Sequence, residues 1–177
     1  MQLGEIVALP WLLPGAAISV IVSIAVGGAV GRALRVWQPV AWVMVLSLGI
    51  IMAATLTPQW EALAFGARGS SSCDLSRLGL APLGELLSAN DSGGNILMFI
   101  PLGVAIGLVP RSRRKAAIVI AAIALPFAIE TTQLLVPALD RACESADVVD
   151  NLTGLVIGLG GGVIAGRLGG VVDRLPR

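Results

Sequence analysis

Histidine and tyrosine are absent from this chain of 177 residues, charged residues make up only 13% and aromatic residues 4%, and cysteine occurs twice. Without histidine there is no Ser/His or Cys/His nucleophile. The commonest general base and the commonest transition-metal ligand are missing with it, so no metal site is expected. A formal net charge of +1 supplies no basic surface, and nucleic acid is not an expected partner. What the chain has in place of charge is apolar sequence: 56% of it is hydrophobic and the mean hydropathy is +0.90. Apolar runs this long and this pure cannot cover a water-soluble surface, and they define an integral membrane protein of one domain, residues 1–177.

Five segments approach the roughly 20 residues that a helix needs to cross a bilayer. They run from Trp11 to Gly31, Val40 to Thr57, Asn90 to Val109, Ala116 to Val136 and Val148 to Gly166. The expected fold is therefore an all-α bundle of about five transmembrane helices. The third segment is the weakest: its uninterrupted apolar part, Ile96 to Val109, also suits a re-entrant arm, and it spans only with Asp91 and Asn95 inside its outer end. Between the second and third segments, residues 58–92 carry serines, glycines, prolines and scattered charge. This stretch reads as a partly ordered cap, with a short amphipathic helix expected over Ala81 to Ala89.

If all five segments cross, nine of the twelve basic residues fall on one side: Arg32, Arg35, Arg111, Arg113, Arg114, Lys115, Arg167, Arg174 and Arg177. By the positive-inside rule that side is the cytoplasm, which puts the N-terminus outside and the C-terminus inside. No Lys or Arg precedes the first apolar run, so the first segment is expected to stay as an anchor and not to be cleaved as a signal peptide. Cys73 and Cys143 then both face the oxidising side, and a disulfide between them is expected. Two separate thiols in one compartment are the alternative.

The remaining chemistry is carboxylate, amide and guanidinium. Asp91 and Asn95 open the third segment, and Asp147 and Asn151 open the fifth with the same spacing, which puts each pair on one helical face. Counted at about 1.5 Å per helical residue from the basic side, Asn95 lies about 21 Å up, Glu130 about 22 Å and Asn151 about 24 Å, one common plane in the outer leaflet. Glu130 and Gln133 share a face, and Pro126 is expected to kink the fourth segment beneath them. Capping of helix N-termini is an equally ordinary use for the two Asp/Asn pairs. Glu130 has no such use: a carboxylate inside an apolar run needs a partner, and Arg141 is the outer cation nearest the helix ends in sequence. Glycines recur every four residues from Gly154 to Gly170, with Gly103 and Gly107 in the third segment. With Gly27 and Gly31 of the first segment, they read as close-packing stripes within the chain, with homodimerisation or a mobile interface as the alternative, so monomer and homodimer both stand.

Taken in order, these motifs resemble the VanZ-like family of bacterial membrane proteins. The resemblance rests on Asp91-Ser-Gly-Gly-Asn95 leading into Phe99-Ile-Pro101-Leu-Gly103, on Glu130-Thr-Thr-Gln133, and on Arg141-Ala-Cys-Glu144-Ser-Ala-Asp147-Val-Val-Asp-Asn151-Leu-Thr-Gly154. Glu144 stands where the family often has Asp. The resemblance implies a small helical protein of the bacterial cell membrane associated with resistance to glycopeptide antibiotics such as teicoplanin, without implying a mechanism.

Three functions fit these residues. The favoured one is a factor that binds an envelope lipid, a lipid-linked cell-wall precursor or a glycopeptide-type ligand through Asp91, Asn95, Glu130, Gln133, Arg141, Glu144, Asp147 and Asn151, without a cofactor. The second is an intramembrane enzyme acting on a lipid-linked phosphate or sugar, with Glu130 or Asp147 as base and Arg141 holding an anion; Mg²⁺ belongs to this reading alone. The third is a small transporter or flippase, although its two Asp/Asn helix starts run inward from the same side and form no inverted repeat.

Overall fold

A computed structural model describes residues 10–67, 72–82, 84 and 91–172. Five long helices carry the fold: α1 (Leu12–Leu34), α2 (Gln38–Thr55), α4 (Asp91–Leu108), α5 (Arg113–Leu135) and α6 (Ser145–Val172). A short helix α3 (Trp60–Phe65) and two residue pairs, β1 (Cys73–Asp74) and β2 (Cys143–Glu144), build a small cap with the 3-10 turn Pro137–Leu139. Four of the long helices have the length and apolarity to cross a membrane, while α4 offers a shorter apolar stretch, Ser92–Leu108. The expected helix over Ala81 to Ala89 falls largely outside the described residues. Helix α5 runs unbroken through Pro126.

Helices α1 and α2 form an antiparallel hairpin. Gly15 faces Ala53, Gly49 faces Ser19 and Gly27 faces Trp42, so each glycine admits a neighbour that a side chain would displace. The inward face of α1 is made of Ser19, Ser23, Gly27 and Gly31, and both serines satisfy their hydroxyls on α1 carbonyls, Gly15 O at 2.7 Å and Val20 O at 2.8 Å. Small residues of this kind let apolar helices associate by backbone contact where lipid removes the hydrophobic drive.

Helices α4 and α6 pack side by side, and they run parallel. Gly154 lies on Ile96, Gly158 on Ile100 and Gly103, and Gly162 on Val104 and Gly107, so the numbers rise together along both helices. A Cβ on Gly103 would sit 2.9 Å from the Gly158 Cα, and one on Gly107 2.8 Å from the Gly162 Cα. Gly103, Gly107, Gly154, Gly158 and Gly162 are therefore buried inside the chain, whereas Gly166 further along the stripe is exposed, and α4 follows α6 for several turns instead of folding back as a hairpin arm. Around this pair the core is closed by Ile51 from α2, Phe99, Leu102 and Ile106 from α4, Ala122 and Ile129 from α5, and Leu155 from α6.

The two ends of the bundle differ in charge. At one stand Arg32, Arg35, Arg111, Arg113, Arg114, Lys115 and Arg167. There Lys115 Nζ donates to Gly107 O at 2.7 Å and Val109 O at 2.8 Å, and Arg114 donates to Ala33 O, so cations cover the carbonyl ends of α4 and α1. The opposite end holds the described acidic residues with Arg77 and Arg141. Exposed tryptophans mark both boundaries, Trp37 at the basic end and Trp11 and Trp60 at the polar end.

Candidate polar site at the helix ends

The polar site is assembled where α2 and α5 end and α4 and α6 begin. Helix α6 starts at Ser145, three residues before the apolar pattern, because Asp147 in its first turn suits the positive end of the helix dipole. That start is fixed by the cap. Cys73 and Cys143 form a disulfide across the parallel register in which Cys73 pairs with Cys143 and Asp74 with Glu144.

Glu130 is buried on the inner face of α5, and its Oε2 accepts the Glu144 backbone N–H at 2.8 Å. The carboxyls of Asp147 and Glu144 lie within its electrostatic reach. One turn along α5, Gln133 is also buried and donates from Nε2 to Thr55 O at 3.0 Å, tying the end of α5 to the end of α2. Arg141 donates to the same helix end, to Ala54 O at 2.7 Å and Thr57 O at 3.4 Å. Burial lowers the pKa of its guanidinium from the ordinary value, and the nearby Asp147 carboxylate opposes that shift. Glu130, Gln133, Arg141, Glu144 and Asp147 thus meet around the junction of α5, β2 and α6.

Asn151, 1% exposed, lies one turn below Asp147 on α6. Asn95 is half-buried near the start of α4, and the side chain of Asp91 lies outside the described residues. Among the described residues of this region, an ion pair joins two residues outside the set expected from the sequence, Arg77 and Asp150. Arg77 of the cap holds Asp150 with both terminal nitrogens, at 3.1 Å and 2.5 Å, and also donates to Ser92 Oγ at 3.3 Å and Ala146 O at 3.4 Å. Its own carbonyl accepts from Ser145 Oγ at 2.8 Å. One arginine therefore pins the cap to the first turns of α4 and α6. The available signal was Asp150 itself, an acidic residue inside an apolar helix that the Asp147/Asn151 spacing left on another face.

Among the described residues, three buried polar atoms in this end of the bundle have no hydrogen-bond partner: Gln133 Oε1, Arg141 Nε and Asn151 Oδ1. No group of three or more Cys, Asp or Glu residues that could hold a metal occurs among the described residues. These features define a helical membrane protein with a disulfide-tied polar cap over its helix ends. The family model VanZ/LLP1 matches residues 41–166, and the chain belongs to that family. Neither the curated proteins nor the solved structures compared with it match the chain.

Proposed function

We propose that the polar end binds the headgroup of an envelope lipid, a lipid-linked cell-wall precursor or a glycopeptide-type ligand, on the outer side of the bacterial cell membrane. In this reading the basic end and the C-terminus face the cytoplasm, and α4 crosses beside α6 as a fifth span. The observation that carries the proposal is the set of unpartnered buried atoms, Gln133 Oε1, Asn151 Oδ1 and Arg141 Nε. An unsatisfied buried polar group costs about 1–3 kcal/mol, so two acceptors and a donor kept in this state favour a ligand that supplies the missing bonds. The ligand enters between the cap and the helix ends. A role in glycopeptide resistance would follow from sequestering or masking such a ligand.

The test uses the purified protein in nanodiscs, with a lipid-linked peptidoglycan precursor and teicoplanin as separate probes. Saturable binding without turnover is expected, weakened about tenfold by Asn151→Ala, the loss of roughly one buried hydrogen bond. Glu130→Gln keeps an acceptor for the Glu144 N–H, so the fold should survive while binding falls. Product formation that Glu130→Gln abolishes would replace this proposal by the enzyme, for which the neighbouring carboxyls of Glu130, Glu144 and Asp147 are the supporting observation. Movement of the precursor across the bilayer would replace it by the transporter. Failure of both probes to bind would overturn it.

A further inference from the structure

We infer that a cavity at the opposite, basic end of the bundle, lined by Gly28, Gly31, Arg32, Arg35, Val36 and Gln38, binds the phosphate of an anionic membrane phospholipid. The cavity has a volume of about 350 Å³, within the ~300–1,000 Å³ range of small-ligand pockets. It opens at the turn between α1 and α2. All of its lining residues precede residue 41, where the family match begins.

Independent features of this turn favour an anion. Arg32 and Arg35 are both exposed, and neither is ion-paired among the described residues. Arg32 Nη1 and Gln38 Nε2 each lie 3.6 Å from the point where a Cβ on Gly28 would stand, so two donors converge over a patch of bare backbone. Helix α2 begins here with Trp37 as its N-cap, no side-chain capping bond and no acidic residue in its first turn, which leaves its positive end uncovered. Arg35 closes α1 in the left-handed region at φ 56° and ψ 43°, a conformation glycine adopts at lower cost. Keeping arginine there puts a second guanidinium at the cavity.

The membrane supplies the ligand. The cavity follows a 23-residue apolar helix, and Trp37, 77% exposed, stands beside it at the level of an interfacial aromatic belt. A headgroup phosphate occupies that level, and basic pockets between helices at a membrane surface suit anionic lipids. A free phosphate ion has the same chemistry without the acyl chains, and the test separates the two.

Protein in phosphatidylcholine nanodiscs containing rising fractions of phosphatidylglycerol is released for native mass spectrometry, and retained lipid is counted. Selective retention of phosphatidylglycerol is expected. Arg32→Ala combined with Arg35→Gly should weaken it about tenfold or more, as two guanidinium contacts to an anionic headgroup imply. Arg35→Gly removes charge while relieving the left-handed backbone, so the variant should fold. Arg167→Ala, an exposed cation at the same end away from the cavity, should retain the lipid as the parent does. Equal retention of both lipids, undiminished selectivity in the double variant, or an equal loss in Arg167→Ala would overturn the proposal. So would inorganic phosphate binding in pure phosphatidylcholine and displacing phosphatidylglycerol, since the site would then serve a free anion.

Discussion

Asp150 and Asn151 are neighbours on α6, both 1% exposed, yet their side chains meet opposite circumstances. Asp150 is held by two nitrogens of Arg77, whereas Asn151 keeps an oxygen without a partner. A carboxylate buried this deeply is tolerable only while its cation stays. Arg77→Ala should therefore destabilise the protein by about 3–5 kcal/mol, and adding Asp150→Asn should recover part of that loss, both read from melting in detergent. Glu130 and Gln133 were legible as a pair because three-residue spacing puts both on one face of α5. Arg77 was not, since it sits in a loop 73 residues from Asp150 and only tertiary structure joins them. Arg141, the cation closest in sequence, is engaged instead with carbonyls at the end of α2.

Helix–helix contact in this bundle depends on which glycines face a neighbour. Gly158 and Gly161 are one turn apart on α6, but a Cβ on Gly158 would press on the Gly103 Cα at 2.9 Å, while nothing lies within 4 Å of one on Gly161. Gly158→Ala should destabilise by about 1–3 kcal/mol through overpacking. Gly161→Ala should be neutral or mildly stabilising, because alanine loses less backbone freedom than glycine on folding. Thermal melts of the two variants in one detergent check the contrast. The four-residue glycine spacing was visible in the sequence, and so was the presence of each long helix. The parallel pairing of α4 with α6 was not, because spacing identifies a face without saying which helix meets it. The β1–β2 pairing was hidden for a related reason: two-residue strands carry no periodicity.

The molecule has a basic end stitched by side chains to helix carbonyls and a polar end held by the Cys73–Cys143 disulfide and the Arg77–Asp150 ion pair. The Cys73–Cys143 bridge closes a separation of 70 residues, worth about 4 kcal/mol by chain entropy. Reducing it, or replacing both cysteines by serine, should leave the helices assembled while loosening the cap, detected as faster proteolysis between α3 and α4. The bridge was legible because counting spans put both cysteines on one side. The position it gives β2, where the Glu144 N–H reaches Glu130, needed the folded chain.

The parallel course of α4 and α6 also has a consequence in time. Helix α4 emerges from the ribosome two helices ahead of its principal partner, with a shorter apolar stretch than the other long helices and polar residues at its start. With α4 as the fifth span proposed above, it waits near the insertion machinery until α6 arrives, and the disulfide and the Arg77–Asp150 pair close only at that late moment. Chains arrested on the ribosome with residue 140 as the last to emerge should leave α4 extractable and open to protease, whereas chains extended through residue 172 should protect it.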